Sequence, residues 1–170
     1  MKTKMKFLFM LPVVLSLLSV LNSCKNDDDD SVTLVGTWYY RDAAAGEIKT
    51  NSAANDAIIK SYVVREGVDE HIGFWYEFNT NGTCRSSYKD EKPLTGTYTY
   101  ANGFLTFTTE GEREKETIKV SVVNDVMTFE KDYTNRCSNL SQNELRELGV
   151  NDPGSFRVTK AIGKINFLKR

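Results

Sequence analysis

Gly96-Thr97-Tyr98-Thr99-Tyr100-Ala101-Asn102-Gly103-Phe104-Leu105-Thr106-Phe107 is the stretch that decides the fold. Aromatic and threonine side chains alternate with period two on both sides of an Asn-Gly pair, the mark of strands with one buried face. Asn-Gly accepts the positive φ values that a two-residue primed turn requires, so the segment reads as an antiparallel hairpin. The same device recurs outward in both directions. Upstream, Phe74-Trp75-Tyr76-Glu77-Phe78 and residues 83–88 flank a tip containing Asn81-Gly82; downstream, residues 116–123 and 126–131 flank Asn124-Asp125. Val35-Gly36-Thr37-Trp38-Tyr39-Tyr40 opens the set, and extended stretches at 156–162 and 165–168, parted by Gly163, close it.

About eight strands joined mostly by tight turns place sequence neighbours side by side. Such a meander can remove its exposed edges by closing on itself. The expectation is an all-β fold, an eight-stranded antiparallel up-and-down barrel. It is preferred to a β-sandwich because long crossovers are nearly absent. Two segments break the strand period. Residues 52–64 place Ile58/Tyr62 and Ile59/Val63 at i,i+4 spacing, which predicts a short helix, although Tyr62-Val63-Val64 also suits a strand. Ser141-Gln142-Asn143-Glu144 is a capping box followed by Leu145, Leu148 and Gly149, predicting a helix over 141–148.

The 170 residues leave room for one domain beyond any leader. Residues 1–23 read as a secretory signal: Lys2, Lys4 and Lys6 precede an apolar run too short and too interrupted to span a bilayer. Leu21-Asn22-Ser23-Cys24 resembles a lipobox, which makes Cys24 the expected site of lipidation and the membrane the first expected partner. Acyl chains at about 0.8 kcal/mol per buried CH₂ would make that anchor effectively permanent. Residues 24–31, with the run Asp27-Asp28-Asp29-Asp30, form a solvated acidic tether ahead of a domain at 32–170. That acidic run resembles the export signal with which gut-dwelling Gram-negative anaerobes send lipoproteins to the cell surface. The expected location is therefore the outer membrane, facing outward.

A formal charge of −1, which becomes −4 once the three leader lysines are gone, argues against nucleic acid as a partner. His71 is the sole histidine, so a multi-histidine metal centre is excluded; its place beside Asp69 and Glu70 reads as a solvated surface residue. No catalytic constellation, metal site or cofactor motif stands out, and the chain is expected not to be an enzyme. With Cys24 lipidated, Cys84 and Cys137 remain as one pair in an oxidising space. A bridge would close a loop of about 50 residues and stabilise by about 4 kcal/mol, if the fold brings the two within reach.

Gly36-Thr37-Trp38, joined by Phe78-Asn79-Thr80-Asn81-Gly82-Thr83, Gly96-Thr97-Tyr98-Thr99-Tyr100 and Val126-Met127-Thr128-Phe129, resembles the lipocalin-like domain of bacterial surface lipoproteins. The resemblance implies a Trp38 packed at the closed end of the barrel and a small-molecule site in its lumen. Lys169 or Arg170 is expected to supply the basic group that covers this tryptophan in the family, and no counterpart of the family's long C-terminal helix is expected. Alternation turns Trp38, Tyr40, Tyr76, Phe78, Tyr98, Tyr100, Phe107, Met127 and Phe129 inward, with Phe74, Leu105, Ile118 and Val120 beside them. These are the candidate ligand-binding residues for a small apolar or amphipathic molecule. Each is equally accounted for as plain core, in which case the filled barrel would serve as a protein-interaction or accessory module at the envelope.

Overall fold

The computed structural model describes residues 34–112 and 114–170. The expected leader, the Cys24 lipidation site and the acidic tether lie outside the described residues. Eight strands run in chain order: β1 (Gly36–Thr50), β2 (Phe74–Phe78), β3 (Thr83–Tyr88), β4 (Leu94–Ala101), β5 (Phe104–Thr109), β6 (Glu116–Val123), β7 (Val126–Asp132) and β8 (Val158–Lys169). Every neighbouring pair is antiparallel, and β8 returns to β1, so the sheet is a closed up-and-down barrel. The expected fold class is the one observed.

The hairpin tips follow their turn chemistry. Asn102 and Gly103 have φ of 53° and 76°, and Asn124 and Asp125 have 48° and 61°, the double positive φ of a type I′ turn. The β2–β3 tip is built otherwise. There Gly82 N–H donates to Asn79 O at 3.1 Å, Asn79 N–H to Thr83 O at 2.9 Å, and Gly82 alone has positive φ, 79°. It is a four-residue turn pinned by Asn81 Oδ1, which accepts from the Thr83 amide at 3.1 Å and its hydroxyl at 2.7 Å.

β1 is the element the sequence pattern underestimates. It continues past Tyr40 through Asp42-Ala43-Ala44-Ala45, residues with little strand propensity, because β8 pairs with it as far as Thr50. Register shifts after Tyr40, Ala45 and Lys49 let this two-stranded arm bend out of the barrel. Three helices pack against the arm: α1 (Ala53–His71), α2 (Thr134–Ser138) and α3 (Gln142–Glu147). Helix α1 begins at the expected residue, Ser52, whose hydroxyl accepts from Asn55 N–H, but it runs on to His71. The capping box of α3 is present in both directions, with Ser141 N–H to Glu144 Oε2 at 2.7 Å and Glu144 N–H to Ser141 Oγ at 3.3 Å. Helix α2 has no counterpart in the sequence reading.

Gly163 does not interrupt the last strand as expected. β8 passes straight through it, and a Cβ there would stand 2.6 Å from the Tyr133 ring. Gly67, inside α1, answers the same need: a Cβ would meet Ile165 Cδ1 at 2.8 Å and Ala43 Cβ at 2.9 Å. Small residues on α1 and on the arm thus let helix and sheet approach closely, against the helix propensity that a mid-helix glycine forfeits.

Two apolar cores result. One fills the barrel and includes Trp38, Phe78, Leu105, Met127 and Phe167. The other joins α1, α2 and α3 to the arm through Ile59, Val63, Tyr133, Cys137, Leu145 and Phe156. The expected Cys84–Cys137 pair falls on opposite sides of this division. Cys84 faces the barrel core from β3, Cys137 lies in the helical core, and both are free, buried thiols. The expected disulfide is therefore not formed: compartment and number favour a pair, but the fold puts one cysteine in each core.

Candidate functional site

The barrel has a filled end and an open one. At the hairpin-tip end, Trp38, Phe78, Leu105 and Met127 have at most 1% of their surface exposed, so the floor is solid. Trp38 Nε1–H donates to Leu34 O at 2.7 Å, and the Lys169 ammonium lies 5.4 Å from the centre of its ring. The basic side chain over this tryptophan is therefore Lys169, while Arg170 sits over Tyr39 at 5.1 Å. Tyr98 belongs to the floor as well, its hydroxyl donating to Asn79 O at 3.0 Å and its ring edge-on to Phe78.

Toward the helix end the side chains no longer close the space. Two lobes open there, both bordered by Tyr76 and Glu116. The first, about 220 Å³, lies against Phe74, Cys84, Ser86 and Phe107. The second, about 290 Å³, lies against His71, Ile118, Phe129 and Ile165. Tyr76 is the hub of the aromatic wall. Its ring stacks on Phe78 at 6.1 Å and Phe107 at 5.8 Å, and meets Phe129 at 5.3 Å and Phe167 at 5.2 Å. These separations are those of favourable ring pairs. Burial, reinforced by the nearby Glu116 charge, pushes the Tyr76 hydroxyl far above its ordinary pKa of 10, so it stays protonated. Among the described residues it has no hydrogen-bond partner, and no buried polar side-chain atom of the described residues is left unsatisfied, so this hydroxyl opens on the lobes.

The C-terminal end of α1 roofs the space. His71 is not the solvated residue expected from sequence: it is half-buried, with its ring 6.1 Å from Phe74 and 6.4 Å from Phe167. Desolvation lowers its pKa below 6.5, and its Nδ1 stands 3.1 Å from Gly67 O. In the neutral ring Nδ1–H donates to that carbonyl, leaving Nε2 as an acceptor. The roof is held down by Glu70. Burial alone would raise this carboxyl, but hydrogen bonds from Lys131 (2.8 Å), Tyr133 (2.8 Å) and Arg136 (2.5 Å) bring it below its ordinary value. Arg136 also pairs with Glu66.

Of the nine residues expected to touch a ligand, Tyr76, Phe107 and Phe129 border the lobes. Trp38, Phe78 and Met127 are sealed in the floor. Tyr40, Tyr98 and Tyr100 are partly buried against the barrel core and border neither lobe. Glu116, Ser86 and His71 border the lobes without having been expected at a ligand site. Glu116 was legible only as the first residue of a strand, because its inward direction depends on pairing with Phe107 across β5 and β6. Among the described residues no group of three or more His, Cys, Asp or Glu could hold a metal ion.

No family model matches the chain, and no curated protein matches it. Among solved structures it is similar to the crystal structure of a DUF4847 family protein from Bacteroides vulgatus ATCC 8482. The identity is 11% and the TM-score 0.39, over 82% of this chain and 95% of that one.

Proposed function

We propose that the chain is a lipid-anchored envelope lipoprotein whose lipocalin-like barrel binds a small apolar or amphipathic molecule in the upper lumen, without catalysis. The observation that carries the reading is the pair of lobes left open above a solid floor, about 220 and 290 Å³, on either side of an unpartnered Tyr76 hydroxyl. A barrel of eight strands is just wide enough to fill itself with side chains or to keep one small ligand, and here the aromatic residues stop short of filling it. Apolar walls with a few convergent polar groups are the usual make-up of a small-molecule site. Each lobe is small, which limits the molecule to a compact body rather than a long acyl chain.

The membrane anchor is proposed from Cys24 and the residues around it, with the acidic run behind them supporting an outward-facing position. Native mass spectrometry of the protein purified from its own host tests the ligand reading through a bound small molecule that leaves on denaturation. A bare protein that also binds nothing in a metabolite panel would overturn it. Cys24→Ala tests the anchor: loss of acyl labelling and an unprocessed precursor are expected, and unchanged labelling would refute it.

A further inference from the structure

The charges around the lumen do not balance. Every cation that borders the two lobes is already taken: Lys131 by Glu70 at 2.8 Å, Lys119 by Glu130 at 3.0 Å, and Arg85 by Glu77 at 3.3 Å. Glu116 borders both lobes and has no ion-pair partner among the described residues. Asp132 also borders the second lobe, but its carboxylate is turned to the Thr134 backbone N–H, 2.7 Å away, and Lys160 offsets its charge, which leaves Glu116 as the uncompensated one. The other polar groups agree in sign. His71 leaves Nε2 as an acceptor, and the Tyr76 hydroxyl can accept as well as donate. Tyr76, Phe107 and Phe129 add aromatic rings to the border, and a cation that meets the face of one gains from its quadrupole.

An anion entering this space would meet the Glu116 carboxylate with no free cation to offset it, and a neutral molecule would gain only the walls. We infer that the lumen takes an organic cation: an ammonium group carried on a compact aromatic or aliphatic body, the charge at Glu116 and the body against the rings. This rests on the lumen-binding reading above and names its ligand class. An exposed carboxylate and a cation over an aromatic face each contribute about two- to fivefold in affinity, so the preference expected over a neutral isostere is about tenfold.

The test is calorimetric titration of the full chain with three molecules that share one phenylethyl body: 2-phenylethylamine, 2-phenylethanol and 3-phenylpropionate. The amine should bind about tenfold tighter than the alcohol, and the acid weakest of all. Glu116→Gln should bring the amine to within about twofold of the alcohol, since the charge pair is removed while an amide of the same size stays in place. Equal binding of amine and alcohol, or a preference that survives Glu116→Gln, overturns the cation inference and leaves the lumen reading standing. If none of the three binds, the cation inference falls, and the lumen reading is decided by the native mass spectrum and the metabolite panel.

Discussion

Tyr76→Phe separates an open lumen from a filled one. The substitution removes a single oxygen and leaves the ring, with its contacts to Phe78, Phe107, Phe129 and Phe167, in place. Because no described residue pairs with that hydroxyl, nothing in the fold is orphaned by its loss. Partial desolvation of a hydroxyl is also relieved, so stability should hold or rise by up to about 1 kcal/mol. Tyr98→Phe is the matched control, because its hydroxyl donates to Asn79 O at 3.0 Å. Losing that bond should cost about 0.5–1.5 kcal/mol. In a domain of this size about 1 kcal/mol corresponds to about 3–4 °C in Tm, so thermal melts followed by near-UV circular dichroism resolve the two. Binding should move the other way: a ligand that bonds the hydroxyl should lose about three- to tenfold in affinity to Tyr76→Phe and nothing to Tyr98→Phe. A Tm for Tyr76→Phe as low as that for Tyr98→Phe would refute the reasoning. It would mean that the Tyr76 hydroxyl is bonded within the fold and the upper lumen is closed.

Further outcomes follow from the same geometry. His71 is neutral in the fold because desolvation depresses its pKa. The unfolded chain therefore takes up a proton that the folded one does not, and the stability that His71 contributes is full above about pH 6.5 and lost as pH falls below it. Urea melts from pH 7.5 down to 5 should show this loss and His71→Gln should flatten it, since no other histidine titrates in that window; an unchanged slope would show that His71 is solvated. Gly67→Ala should destabilise by about 1–3 kcal/mol despite about 1 kcal/mol of gained helix propensity, because its methyl would press on Ile165 and Ala43. A urea midpoint that rises instead would place α1 farther from the arm. Burial raises the Cys84 thiol and pushes Cys137 up to about 11. Iodoacetamide at pH 8 should therefore leave both unlabelled in the native protein and label both after denaturation without reductant. Protection that persists until a reductant is added would restore the disulfide.

The sequence by itself determined the elements and their order around the barrel. Period-two alternation, Asn102-Gly103 and Asn124-Asp125 are local signals, since a primed turn depends on two residues and the side-chain direction of a strand only on parity. The Ser141 capping box was legible for the same reason: its hydrogen bonds close within one helical turn. What needed the tertiary structure was everything that depends on contact across the chain. The β1 arm exists because β8 pairs with Ala43, Ala44 and Ala45, which have little strand preference of their own. Gly67 and Gly163 are explained by neighbours on other elements, and Cys84 and Cys137 are parted because α1 and the arm create a second core. The site divides along the same line. Alternation indicated which aromatic residues point inward, but how far up the barrel they fill the lumen is a matter of strand stagger and of where α1 comes down. Only the assembled barrel could therefore decide that Trp38 and Met127 form a floor while Tyr76, Phe107, Glu116 and His71 surround open space.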